Sequence, residues 1–281
     1  MDYKVLSENI EHPLLKPVLE ELIPVFEKRG IKFYIIGAVA RDIILDLHDE
    51  KSERVTMDLD IAIAIDHWED FDDISADILS LPNFSKDEKQ QQRFFFREKF
   101  QVDIVPYGGI KDQNDQIFWP PDESFAVSVV GFEEAEKHLL PIEMDGSLKF
   151  NIVSLEGVFL LKLFAWKDRH NRENKDAEDL GFILNNYLII NRLISFSEPY
   201  NKVYDLENFT ELKAGAIILG IKLNELIAEN SDTQSKVKSL LQEEINKEEE
   251  SQLFNQIIET NRNLKFDDVA EAIALINQEI N

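Results

Sequence analysis

The sequence predicts an α/β (α+β) fold in two parts: a small mixed sheet with flanking helices over residues 1–150, and a helical half over residues 151–281. Three observations carry this. Phe33–Ile65 reads as strand, glycine turn, helix and strand; short β-rich runs continue to Val153; and from Ser154 onward the apolar spacing is helical.

Over Pro13–Lys28 the apolar residues Leu15, Val18, Leu19, Leu22, Ile23 and Phe26 share one helical face, and Arg29-Gly30 supplies a stop. Lys32–Ile36 is β-rich and ends at Gly37, after which Val39, Ala40, Ile43, Ile44 and Leu47 recur at helical intervals. Leu59–Ile65 alternates. Successive strand side chains point to opposite faces, so Leu59, Ile61, Ile63 and Ile65 share one face while Asp58, Asp60, Ala62 and Ala64 share the open one. Asp70–Leu81 reads as a surface helix stopped by Pro82.

Arg93–Arg97 and Phe100–Val105 read as a hairpin about Glu98-Lys99, with Val102 and Ile104 on one face and Asp103 on the other. Arg93, Arg97 and the phenylalanines between them read as strand packing, and Pro106 with Gly108-Gly109 ends the second strand. Phe125–Val130, His138–Glu143 and Leu148–Val153 are the remaining strands. Ser154 is a good N-cap for a helix over Leu155–Lys167. Helices over Lys175–Tyr187, Glu211–Ala228, Ser235–Thr260 (one or two) and Phe266–Ile280 follow, with Glu229–Gln234 as a loop.

At 281 residues and 44% hydrophobic, with 19 phenylalanines, the chain can bury a real core. It has no cysteine, which excludes disulfides, thiolate zinc sites and a cysteine nucleophile. No apolar run approaches the roughly 18–20 residues of a membrane span, and Met1–His12 lacks the basic start and apolar run of a secretion signal. A soluble, cytoplasmic protein without a membrane partner is expected. The net charge of −25 argues against a large phosphate-tracking surface, because lysine and arginine supply that affinity. An RNA acceptor would be gripped locally, at Lys167, Arg169, His170 and Arg172. No Gly-x-Ser-x-Gly elbow supports hydrolase chemistry.

Nucleotidyl transfer needs divalent metal against the phosphates and an acceptor hydroxyl in line, and little covalent help from the protein. Mg²⁺ takes hard oxygen ligands, commonly one or two carboxylates. Asp58 and Asp60 on one strand face meet that need, and Asp103 from a neighbouring strand completes a site for two ions about 3.5–4 Å apart. Without a cation three such acids repel, by about 1 kcal/mol per pair at 4 Å in water. The plainer reading of Asp58-x-Asp60 is the exposed face of an edge strand. Gly37 opens a helix whose first amides, at Ala38, Val39 and Ala40, suit phosphate; Arg41 and Asp42 in its first turns either bind phosphate or merely cap and pair, and Asp42 suits the helix dipole either way. Lys162 lies in an apolar stripe with Leu155, Val158, Phe159 and Trp166, so it either snorkels to water or reaches a buried anion. Asp176 and Asp179 share a helix face, next to lysines and arginines that would make them ordinary surface pairs.

The runs Ile35–Asp42, Thr56–Ile61 and Val102–Val105 resemble the nucleotidyltransferase superfamily that includes DNA polymerase β, with the Arg41-Asp42 pair similar to the tRNA CCA-adding and poly(A) polymerase branch. Ser154–Arg169 and Lys175–Leu180 look like the AbiEii/AbiGii toxin-type nucleotidyltransferases; together the likeness covers roughly residues 30–185. It implies Gly37, Ala38 and Arg41 at the triphosphate, Asp58 and Asp60 on Mg²⁺ or Mn²⁺, and Asp103 on one ion and helping to deprotonate the acceptor. Lys162 and Asp176 match the toxin branch's residues near the nucleotide. The implied partners are an NTP, an acceptor (RNA such as tRNA, a protein, or a small molecule such as an aminoglycoside) and an antitoxin. A catalytically silent nucleotide- or partner-binding module is the alternative. Ala38 departs from the usual glycine or serine, which keeps the backbone donor but removes a hydroxyl.

Overall fold

Residues 2–50, 58–121 and 126–281 are described by the computed structural model. The chain divides into two compact units, Met1–Val158 and Phe159–Asn281.

The first unit runs β1 (Tyr3–Val5), α1 (Leu15–Arg29), β2 (Phe33–Ile36), α2 (Gly37–Leu47), β3 (Asp58–Ile65), α3 (Trp68–Leu79), β4 (Phe84–Lys86), β5 (Arg93–Phe96) and β6 (Phe100–Gly108). It continues with β7 (Gln116–Phe118), β8 (Ala126–Ser128), α4 (Phe132–Glu136), β9 (Leu140–Met144) and β10 (Leu148–Ile152). Among the described residues the main sheet has eight strands in the order β1-β9-β10-β2-β3-β6-β5-β4. It is mixed, as the sequence predicts: β3 is antiparallel to β2 and parallel to β6, and β6 is antiparallel to β5.

The expected apolar stripes form the core. Leu15, Val18, Leu19, Leu22 and Phe26 of α1 are buried, as are Val39, Ile43 and Ile44 of α2 and Leu59, Ile61, Ile63, Val102 and Ile104 of the central strands. Gly30 caps α1 in the left-handed region at φ 66°, where a residue without Cβ is least strained.

Two local readings change in this unit. β6 does not stop at Pro106. Ile104 donates its N–H toward the β5 side, to the Gln92 carbonyl, and Pro106 two residues on turns its donorless nitrogen to that same side, beyond the start of β5 at Arg93. Of the strand expected over 125–130, Ala126–Ser128 is β8, paired with β7 in a separate two-stranded sheet, and Phe125 lies outside the described residues. The turn between β5 and β6 holds Arg97 and Glu98 at φ 49° and 63°.

α5 (Leu155–Arg169) carries the chain into the second unit, and the Ser154 hydroxyl accepts from the Gly157 amide at 3.4 Å, as an N-cap does. The second unit adds α6 (Lys175–Ile190), α7 (Glu211–Ile227), α8 (Ser231–Asn246), α9 (Gln252–Thr260) and α10 (Phe266–Glu279), with α7 packed on α6 and α10. Two α7 glycines permit this close approach. A Cβ at Gly215 would stand 3.1 Å from the Leu188 nitrogen, and one at Gly220 would stand 2.9 Å from the Ile276 carbonyl. The polar run Glu229–Gln234 is not a loop throughout. Asn230 accepts from the Asp232 and Thr233 amides, which starts α8 at Ser231. Among the described residues no helix is long and apolar enough to cross a membrane.

Candidate active site

β2 delivers the chain to Gly37, which adopts φ 70° and opens α2. Ile36 before it is extended and has no side-chain acceptor, so the first turn of α2 lacks a side-chain cap. Its amides and the positive end of the helix dipole are a favourable setting for an anion. Ala38 is half-buried in that first turn.

The sheet register then lines up one row of residues. Ile36 pairs with Asp60, Asp60 with Asp103, and Asp103 with Arg93, across β2, β3, β6 and β5. Residues directly opposite one another project to the same face, so Asp60, Asp103 and Arg93 are neighbours there. Asp58, two residues before Asp60, shares the face. Farther along β3, Ala62 is fully buried, whereas Asp58 and Asp60 are both half-exposed.

Asp60 also explains why residue 37 is glycine. A Cβ there would overlap the Asp60 carboxylate oxygen Oδ2, so the α2 start and the acid approach more closely than any other residue would allow. Thr56 and Met57, which precede the acid pair in the sequence motif, lie outside the described residues.

Asp103 is buried and held by both oxygens. Arg93 Nε donates to its Oδ1 at 2.8 Å and Nη2 to its Oδ2 at 2.7 Å, a bidentate pair that raises the guanidinium's pKa. From the sequence alone Arg93 reads as strand packing. The signal that finds it is the hairpin itself, since a turn centred on Glu98 sets Arg93 opposite Asp103.

Carboxylate oxygens are the donors that Mg²⁺ or Mn²⁺ takes, commonly one or two from the protein; Asp58 and Asp60 on one strand face are two such donors, and the space beside Gly37 lets the Asp60 carboxylate sit against the helix start. Among the described residues no three His, Cys, Asp or Glu side chains gather into a metal-holding group; Asp103 gives both its oxygens to Arg93. Arg41 is buried and donates from Nε and Nη2 to Asp42 Oδ1 at 3.0 and 2.8 Å.

Lys162 and Asp176 come together in the second unit. Lys162 Nζ reaches Asp176 Oδ1 at 3.1 Å and Asp179 Oδ2 at 2.7 Å, while Arg169 donates to both Asp176 oxygens at 2.6 and 2.8 Å. Of the two fates open to a lysine in an apolar stripe, this one reaches buried anions. Burial pushes the Asp176 carboxyl up, but the Arg169 and Lys162 charges outweigh it and hold the group below the usual carboxylate range. In the stretch expected to grip RNA, Lys167 and Arg172 are exposed, Arg169 is tied to Glu173 and Asp176, and His170 stacks on Trp166 at 4.6 Å.

The strand register sets a glycine turn opening a helix beside an acid-x-acid strand, with a third acid on the parallel neighbour, and the chain is a nucleotidyltransferase. The profile of the family described as "Nucleotidyl transferase AbiEii toxin, Type IV TA system" matches residues 26–272, and the chain belongs to that family. No curated protein matches the sequence. Among solved structures, the chain is similar to an antigenic nucleotidyltransferase-like protein from Paracoccidioides brasiliensis at 15% identity and TM-score 0.40, over 82% of this chain and 92% of that one. It is also similar to the antibiotic-resistance factor ANT(2'')-Ia, at 13% identity and TM-score 0.36 over 67% of this chain and 94% of that one. A third is the Elizabethkingia meningoseptica CdnE cyclic dinucleotide synthase, at 9% identity and TM-score 0.30 over 99% and 93%.

Proposed function

We propose that this chain transfers NMP from an NTP to a hydroxyl of an acceptor, using Mg²⁺ or Mn²⁺. The observation that carries the reading is the row Asp60–Asp103 beside the Gly37 helix start, with Asp58 on the same face. Asp58, Asp60 and Asp103 would hold the cation, which when bound supplies charge neutralisation on the phosphates. The amides of the Gly37–Ala38 turn bind the anionic end of the nucleotide, and the buried Arg41 fixes Asp42 just behind that turn. Asp103 accepts the proton of the hydroxyl that attacks the α-phosphorus, and the bond to the β-phosphate breaks as pyrophosphate leaves. Lys162 and Asp176 enter as the matched residues of the toxin-type pattern.

RNA such as tRNA is the first acceptor to test, supported by the family's description as a toxin and by the exposed Lys167 and Arg172; a protein and an aminoglycoside are the others. The same description supports an antitoxin partner. Each labelled NTP, incubated with Mg²⁺ and each acceptor class, is expected to give product with the wild-type chain and none with Asp58→Ala. Full transfer by that variant removes the assignment.

One observation favours a second reading, a module that binds nucleotide without turnover: both Asp103 oxygens are already engaged by Arg93. Calorimetric NTP binding with no product from any acceptor would select it.

A further inference from the structure

Asp103 stands between an acid and a base. Asp60 is its neighbour on β3 and Arg93 its neighbour on β5, and the guanidinium takes both carboxylate oxygens at 2.8 and 2.7 Å. The pair is largely withdrawn from water, with the Arg93 side chain 20% and the Asp103 side chain 13% exposed. Arginine's planar fork matches a carboxylate, and its charge is not lost at any ordinary pH. A divalent ion that approaches Asp103 on the side the guanidinium fork occupies must loosen one of two charge-assisted hydrogen bonds.

We propose that Arg93 is a positioning residue, an internal cation that clamps Asp103 and is exchanged for the divalent ion, so that the third carboxylate joins the site only when metal arrives. The inference rests on the proposed metal-dependent reading of the same acids. The clamp also offsets the repulsion that Asp103 would otherwise meet from Asp60 beside it. Its consequence is a metal affinity set by a residue that touches neither nucleotide nor ion. Arg93 lowers the affinity of the resting protein for the cation while keeping Asp103 aimed.

The test is Mn²⁺ binding to the full chain without nucleotide, followed by electron paramagnetic resonance. Arg93→Gln, which leaves Asp103 both oxygens, is expected to bind Mn²⁺ about tenfold more tightly than wild type, the equivalent of one charge-assisted hydrogen bond. Arg93→Gln/Asp103→Asn is expected to lose that gain, because the gain belongs to Asp103. Arg93→Lys, whose ammonium is a point charge without the fork, is expected to fall between. Should Arg93→Gln fail to melt cooperatively, Arg93→Lys decides. Unchanged, weakened or absent Mn²⁺ binding in the folded Arg93 variant overturns the clamp, as does a gain that survives Asp103→Asn. NMP transfer by the wild type is read separately: no transfer with the Mn²⁺ pattern intact removes the enzyme reading alone, and transfer without the pattern removes the clamp alone.

Discussion

The Asp60 carboxylate occupies the space that a side chain on Gly37 would need, so the acid and the start of α2 are fitted to each other. Gly37→Ala meets two obstacles, the overlap with Asp60 and a φ of 70°. The backbone part alone costs about 1–3 kcal/mol. Urea unfolding is expected to show at least that loss, and NMP transfer is expected to fall more than tenfold. Adding Asp60→Ala removes the overlap, so the double variant should be more stable than the sum of the single losses predicts. Strict additivity would mean that the two residues are not in contact.

The Lys162–Asp176–Arg169 network makes the second unit acid-sensitive. Removing one partner of a buried ion pair costs about 3–5 kcal/mol, so Asp176→Ala is expected to lower the unfolding free energy by that amount. The sign with pH follows from a folded pKa held below the ordinary value. The unfolded chain takes up the proton first as pH falls, so the contribution is full above about pH 4 and declines as pH drops through the folded value. Chemical denaturation between pH 3 and 7 is expected to show a flatter profile for Asp176→Asn than for wild type. Equal slopes would place the charge balance elsewhere.

Lys86 carries the opposite burden. Burial pushes its ammonium down to about 8, with the nitrogen 4.1 Å from the Phe94 ring centre and 4.9 Å from that of Phe71. Between about 8 and 10.5 the unfolded chain binds more protons at this group than the folded one, so its contribution to stability improves as pH rises through that window. Lys86→Met is therefore expected to raise the urea midpoint more at pH 7 than at pH 10. A larger gain at pH 10 would contradict the assignment.

At Gly220 the constraint is space alone. A Cβ there would stand 2.9 Å from the Ile276 carbonyl and 3.0 Å from the Ile276 Cα, both backbone atoms of α10 that cannot rotate away. Gly220→Ala gains helix propensity in α7, yet the overpacking is expected to win, with a net loss of about 1–3 kcal/mol. Thermal melting decides: a raised Tm would show that α7 and α10 separate freely.

Much of this was legible from residues alone, where the signal is local. The Gly37 turn, the two-residue alternation of Leu59–Ile65 and the Ser154 cap are short-range patterns, and each element formed where they point. β1 was not legible, because three residues pairing with β9 from Tyr3 to Ile142 leave no nearby pattern. β4, β7 and the five-residue α4 are equally brief. In the site, the orientation of Asp103 followed from periodicity. Its attachment to Arg93 did not, because an arginine among phenylalanines resembles packing until the strand register is fixed. Lys162 was recognisable as a charge in want of an anion, but only the fold identifies that anion as Asp176 with Asp179.

The turn at Arg97 and Glu98 acts as a ruler. With Phe96 opposite Phe100, its length alone decides that Arg93 stands opposite Asp103. One residue inserted there would slide β5 a single place against β6 and send every β5 side chain to the other face of the sheet. Arg93 would then leave Asp103 without any change to a residue of the site. Substitution within the turn is tolerable so long as the φ values of 49° and 63° can be met, and glycine or asparagine meets them most easily. Insertion and deletion are not, so in natural or engineered variants the hairpin is open in composition and closed in length.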